Sequence, residues 1–219
     1  DGPHQLQTAP IVNGTPESGW PGVGALTMVY PGWGYQGSFC TGTLIAPRWV
    51  LTAAHCLTEH DGVSVSPGDT YFYVGTDANP GRTGYPDTGT LYEVQQFHIH
   101  PGYSASDPQA RNDIALVYLA ETATGVPTYE YNVAAFNMSF RNGLAFYVGY
   151  GVTDGLRQTG SGVKRSTSIA VQGWDDTYYV SEYNGSGLCF GDSGGPGLLQ
   201  IDGVWRIIGV NSGAGNEDP

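Results

Sequence analysis

Short stretches of alternating or β-rich character recur along the whole 219-residue chain, and they restrict it to an architecture of many brief strands. They cover residues 23–30, 39–45, 71–74, 91–99, 114–119, 144–150, 166–172 and 197–212. No long amphipathic helix competes with them, and no repeat of 20 to 50 residues is present. The 34 glycines are about twice the ordinary ~7% share, and with 14 prolines and 15 tyrosines they suit strands joined by tight turns. Between LLQI and VWRII stands Asp202-Gly203, a dipeptide favoured by the two-residue hairpin turn whose central residues have positive φ. The expectation is an all-β fold. Residues 121–127 (ETATGVP) break the pattern near the middle and read as a linker between two β domains of about 110 residues each.

Composition excludes several classes. Charged residues are 13% of the chain against 40% hydrophobic, a balance that excludes disorder, and this length buries roughly 70% of the unfolded surface. Eight Lys+Arg face twenty Asp+Glu for a net charge of −12, with Lys164 the single lysine, so no basic face exists to neutralise phosphates. A nucleic-acid partner is not expected. No apolar run approaches the ~20 residues of a membrane helix, so no membrane partner is expected either. The opening DGPHQLQTAP lacks the apolar core of a signal peptide, and the expectation is that any signal has been removed. Nothing points to a nucleotide, haem or flavin, and the expected cofactor set is empty.

Cysteine is sparse: Cys40, Cys56 and Cys189. Cys40 and Cys56 lie in neighbouring β-rich segments, where a bridge would contribute about 3 kcal/mol and imply an oxidising compartment. Two buried, unbridged small hydrophobes are the other reading, and the cysteines alone do not decide. Metal candidates are thin. His98 and His100 share a strand face without a third ligand, and Asp77 with Asn79 reads as a plain turn rather than a calcium loop, so no metal is assigned.

The chemistry concentrates in Gly191-Asp192-Ser193-Gly194-Gly195-Pro196. A serine between glycines is presented on a tight turn whose backbone N–H groups face inward, the requirement of a nucleophile with an oxyanion site. An ordinary Gly/Ser turn is the bland alternative, and G-x-S-x-G also fits the nucleophile elbow of α/β-hydrolases. Chain order separates the enzymes. The hydrolase order needs a histidine after the serine, yet His4, His55, His60, His98 and His100 all precede Ser193. The subtilisin order needs an aspartate before the histidine, and only Asp1 precedes His55. What remains is His, then Asp, then Ser.

His55 lies in LTAAHC, Asp113 in NDIALV and Ser193 in GDSGGP. These motifs, in this order, resemble the chymotrypsin-like secreted serine peptidases. Ile11-Val12-Asn13-Gly14 resembles the activated amino terminus of that family, and His100-Pro101-Gly102-Tyr103 its lead-in to the aspartate; the likeness spans residue 11 to about 212. The resemblance implies two six-stranded antiparallel β-barrels: residues 1–10 as an extension or propeptide remnant, 11–122 as the first barrel with His55 and Asp113, and 123–219 as the second with Ser193. It implies that Ser193 attacks the scissile carbonyl, that His55 relays the proton, and that Asp113 fixes the imidazole. It assigns the oxyanion hole to the N–H groups of Gly191 and Ser193, supports a Cys40 to Cys56 bridge, and implies secretion, polypeptide substrates and protein inhibitors.

Departures from the family pattern sharpen the expectations. The floor of the specificity pocket falls on Gly187, which has no carboxylate to hold Lys or Arg. Ser212, Gly213 and Ala214 stand on the strand that pairs with substrate, where Gly213 replaces an aromatic wall and the Ala214 methyl narrows the mouth. A small or medium apolar residue is expected before the scissile bond. The chain stops before the family's last strand and terminal helix, so the second barrel is expected to lack them, with a second segment from elsewhere as one way to complete it and to partner Cys189. Ten residues precede Ile11, whose ammonium in relatives pairs with the carboxylate at Asp192, so a precursor is expected. A non-catalytic homologue acting as a binding or decoy module is the alternative function.

Overall fold

A computed structural model describes residues 14–60, 62–107, 109–154, 157–181 and 187–213. Its strands, in chain order, are β1 (Thr15–Pro16), β2 (Val23–Tyr30), β3 (Gly34–Ala46), β4 (Trp49–Thr52), β5 (Glu59–His60), β6 (Val63–Ser64), β7 (Thr70–Val74) and β8 (Thr90–Ile99). They continue with β9 (Ala115–Leu119), β10 (Glu130–Tyr131), β11 (Leu144–Gly149), β12 (Arg165–Trp174), β13 (Tyr179–Ser181), β14 (Pro196–Ile201) and β15 (Val204–Val210). Three single-turn 3-10 helices are the helical content of the described residues. The all-β expectation holds.

The first half closes into a barrel in the order β2-β3-β4-β9-β8-β7, antiparallel throughout. Alternation drives the closure: every second residue of β9 is buried, and Leu26, Leu44, Val50, Phe72, Val117 and Leu119 fill the interior. The second half, expected as a six-stranded barrel without its last strand, forms a sheet with no closure among the described residues. Its described strands form a seven-stranded sheet in the order β1-β12-β11-β14-β15-β10, with β13 paired to β12. The edge strands β1 and β10 have two residues each, too few for a ladder that would close the sheet, and β10 runs parallel to β15. Ala145, Tyr147, Ile169, Val171, Leu199 and Ile208 pack on one face. The Asp202-Gly203 turn forms as read, joining β14 to β15 with φ of 51° and 78°.

Buried and half-buried hydrogen bonds stitch the halves together. The Tyr150 hydroxyl donates to the Gly75 carbonyl, Ala78 N–H to the Gly162 carbonyl at 2.8 Å, and Thr41 N–H to the Ser193 carbonyl at 2.8 Å. The linker Glu121 to Pro127 lies against the first barrel, with Ala123 buried and its N–H donated to the Pro47 carbonyl. The seam between barrel and sheet is where the three motifs meet.

Candidate active site

His55 opens the 3-10 turn His55–Leu57 directly after β4. The turn is tied to β3 by the Cys40–Cys56 disulfide, whose Cα atoms are 6.2 Å apart. The bridge therefore forms as expected, and Cys189 is a free thiol. Asp113 precedes β9 after a tight turn in which Ile114 N–H donates to the Asn112 carbonyl at 2.7 Å, with Asn112 at φ 59°.

The two side chains meet. Asp113 is 8% exposed, and its Oδ2 accepts from His55 Nδ1 at 2.7 Å while Oδ1 accepts from the His55 backbone N–H at 2.8 Å. An ionised carboxylate only accepts, so Nδ1 carries a proton, and in the neutral tautomer this makes Nε2 the acceptor nitrogen. Ser212 Oγ donates a third bond to Asp113 Oδ2 at 2.6 Å. Burial alone would push the Asp113 carboxyl up. The hydrogen bonds from the His55 ring and Ser212, with the attraction of the imidazole, override it and hold the group below the usual carboxylate value.

Ser193 stands half-buried on the turn before β14. Its hydroxyl forms no hydrogen bond to His55 among the described residues, so the structure joins His55, Asp113 and Ser212 directly and brings Ser193 alongside through the backbone. That approach requires glycine at 194: φ is 82°, and a Cβ there would lie 2.1 Å from Thr52 Oγ1 and 2.3 Å from the Thr41 carbonyl oxygen. Thr52 ends β4 just before the histidine turn and Thr41 follows Cys40 in β3, so the close contact presses the serine turn against these two strands.

The peptide groups of this turn are each held. Phe190 C=O accepts from Val152 N–H at 2.9 Å, and Asp192 C=O accepts from Gly195 N–H at 3.0 Å and from Asn211 Nδ2 at 3.2 Å. In a trans peptide the N–H points away from the carbonyl before it, and no described bond is cis. Gly191 N–H and Ser193 N–H are thus turned away from those partners, and no acceptor among the described residues takes either. Two donors on one loop with no acceptor among the described residues are suited to a developing oxyanion.

Asp192 is fully buried, its Oδ1 accepting from Gly151 N–H at 2.8 Å and its Oδ2 from Cys189 N–H at 2.9 Å. Burial pushes its carboxyl up to about 7 against the pull of those two N–H groups. Gly149 and Gly151 leave its space: a Cβ on either would come within 2.6 Å of the carboxylate. Gly187 is buried and Gly213 exposed, with nothing within 4 Å of a Cβ placed at Gly213. Ile11 and Ala214 lie outside the described residues. The sequence reading missed two contributors, Thr41 and Asn211, and gave Ser212 to substrate binding although its hydroxyl is engaged with Asp113. No motif marks them, because their work is done by a hydroxyl or amide whose partners are distant in sequence.

The cluster Cys40, His55 and Cys56 has metal-like spacing, but both sulfurs are committed to the disulfide. His98 packs its ring against Trp49, and His100 Nδ1 accepts from Gly102 N–H. Asn79 donates to Asp77 Oδ1 from backbone and side chain, an Asx turn.

A family model described as Trypsin matches residues 13–219. The CLIP domain-containing serine protease B4 of Anopheles gambiae is 30% identical over 206 residues, which cover 82% of this chain and 55% of that protein. The chain thus spans about half the length of that relative. Brachyurin of Leptuca pugilator is 30% identical over 216 residues, 89% of this chain and 88% of its own. Chymotrypsin-like elastase family member 1 of Felis catus is 27% identical over 219 residues, 93% of this chain and 79% of its own. With the closed antiparallel barrel and the three motifs at one seam, these matches establish that the chain belongs to the trypsin family of chymotrypsin-like serine endopeptidases.

Proposed function

We propose that this chain hydrolyses peptide bonds by acyl transfer through Ser193, His55 and Asp113. The observation that carries the reading is the Nδ1–H of His55 held by a buried Asp113, which in the neutral ring makes Nε2 the basic nitrogen. Ser193 Oγ forms a bond to the scissile carbonyl carbon as its proton passes to Nε2, and the carbonyl oxygen becomes the oxyanion held by Gly191 and Ser193 N–H. Collapse breaks the C–N bond, the amine leaves with the proton from His55, and water repeats the steps to free the acid. The neutral, buried Gly187 supports cleavage after small or medium apolar residues rather than Lys or Arg, with Ser212, Gly213 and Ala214 along the substrate strand. Peptides ending in Ala, Val or Leu before the scissile bond should be cut faster than matched Arg peptides.

Residues 11–122 and 123–219 are taken as the two functional halves, and the disulfide supports a secreted enzyme acting on polypeptides and open to protein inhibitors. Asp192 and Ile11 are the proposed activation pair, because a buried carboxylate gains from an ammonium partner. Protein beginning at Ile11 should then turn over an apolar peptide faster than protein beginning at Asp1, and equal rates would remove the pair from the mechanism. The primary test is a phosphonylating serine reagent followed by intact mass: one adduct on the wild type and none on Ser193→Ala. A non-catalytic homologue would take no label.

A further inference from the structure

We propose that the hydroxyl of Thr41 is a positioning group for the oxyanion loop, an inference that rests on the acyl-transfer reading above. Thr41 is fully buried in β3, one residue after the bridged Cys40, and it faces the second half of the molecule. Its Oγ1 donates to the Gly191 carbonyl at 2.8 Å and accepts from Tyr150 N–H at 3.2 Å. Its backbone N–H donates to the Ser193 carbonyl at 2.8 Å, and its carbonyl accepts from Thr52 Oγ1 at 2.8 Å. One residue of the barrel thus grips the loop on both sides of Asp192. The backbone contacts would survive any substitution, but the hydroxyl bonds depend on the residue type.

The hydroxyl matters because of what it restrains. The peptide between Gly191 and Asp192 is held at one end by Asp192 N–H on the Cys189 carbonyl at 3.0 Å and at the other by Thr41. Gly191 sits at φ 94°, a conformation glycine enters and leaves with little steric resistance, so the residue that carries an oxyanion donor is also the softest joint of the loop. Removing the hydroxyl frees the Gly191 carbonyl and leaves Tyr150 N–H without its acceptor, and rotation at Gly191 then shifts Asp192 and Ser193 relative to the Gly191 N–H, which the Phe190 carbonyl on Val152 N–H still holds, so the two donors lose their common setting. Threonine suits the task better than a flexible side chain. Its branched Cβ is stiff about χ1, and its methyl packs toward Gly195, where an added Cβ would lie 3.1 Å from Thr41 Cγ2. The hydroxyl touches no substrate, so its effect belongs in the transition state and not in binding.

The test compares Thr41→Val, which keeps the shape and loses the hydroxyl, with Thr41→Ser, which keeps the hydroxyl. Turnover is normalised to competent sites by burst titration with a nitrophenyl ester. In Thr41→Val, kcat should fall about tenfold with KM within about twofold, the scale of one misplaced hydrogen bond acting only in the transition state. Affinity for a peptidyl trifluoromethyl ketone, whose serine adduct carries an oxyanion, should fall by the same factor, and Thr41→Ser should recover most of both. Wild-type rates in Thr41→Val, a loss confined to KM, or equal losses in both variants would overturn the inference. So would a failure to fold shared by Thr41→Val and a further Thr41→Ala variant beside a folded Thr41→Ser, because the hydroxyl would then be structural. A wild type that neither turns over peptide nor takes the serine label sinks the acyl-transfer reading and this inference with it. An active wild type with a silent Thr41→Val sinks the inference alone.

Discussion

Ser193, His55 and Asp113 would act as one unit, so the losses on removing them should not add. Ser193→Ala and His55→Ala should each lower kcat by about 10⁴-fold or more, and the double variant should lose little beyond either, as measured by turnover of one apolar peptide. Additive losses would separate the two residues. Gly194 makes a structural prediction at the same scale: Gly194→Ala puts a Cβ into Thr52 Oγ1 and the Thr41 carbonyl at positive φ, so it should destabilise the fold by at least ~1–3 kcal/mol and lower activity per folded molecule. A variant with wild-type urea midpoint and rate would mean the serine turn needs no such close approach. The motif residues are legible in sequence because a nucleophile, a base and its orienting acid permit few residue types. Ser212 and Thr41 are not, since serine and threonine occur everywhere in a β protein and only the folded seam shows what their hydroxyls reach.

Among the elements, β2 coincides with the stretch read from alternation, residues 23–30, and β8, β9 and β11 agree with their stretches to within a residue at either end. Short elements escaped. β4 has four residues inside the run that leads to His55, too few for a period to register, although it supplies the barrel wall from which the histidine turn departs. How the second half ends is not legible in alternation, which specifies the buried face of a sheet and says nothing about its edges. The element that most directly orients His55 is its 3-10 turn, and the disulfide to β3 is the covalent restraint on it. Replacing both cysteines, Cys40→Ala with Cys56→Ala, should cost about 3 kcal/mol by loop closure over a sequence separation of 16, read from the urea midpoint. Turnover at saturating substrate should fall as well, since the turn loses its anchor. Unchanged turnover in the folded double variant would show that β4 and Asp113 orient the histidine without the bridge.

At the scale of the whole molecule, the two halves are joined by buried polar contacts, and one of them titrates. Lys164, the chain's single lysine, is 2% exposed where the segment before β2, loop 75–78 and the second sheet converge. Its Nζ donates to the Trp20 carbonyl at 3.2 Å and lies 5.6 Å from the centre of the Tyr150 ring, while its backbone N–H donates to the Thr76 carbonyl. Burial lowers its ammonium to about 8, with the Glu17 carboxylate opposing the shift. The folded value lies below the unfolded one of about 10.4, so between these values the unfolded chain binds more protons and stability rises with pH. Below pH 8 the folded protein carries a buried, protonated lysine and bears the full cost. Burial raises Tyr35, Tyr147, Tyr150, Tyr179 and Cys189, groups that keep their protons in the folded state and turn the curve downward at alkaline pH. Lys164→Met retains all of them and loses only the ammonium, so subtracting the two urea-unfolding profiles isolates the lysine. The variant's advantage over the wild type should be largest at pH 7 and shrink steadily from pH 8 to 10. A constant difference across that range would mean that Lys164 stays protonated in the fold, held by Glu17 and the Trp20 carbonyl more strongly than burial opposes it.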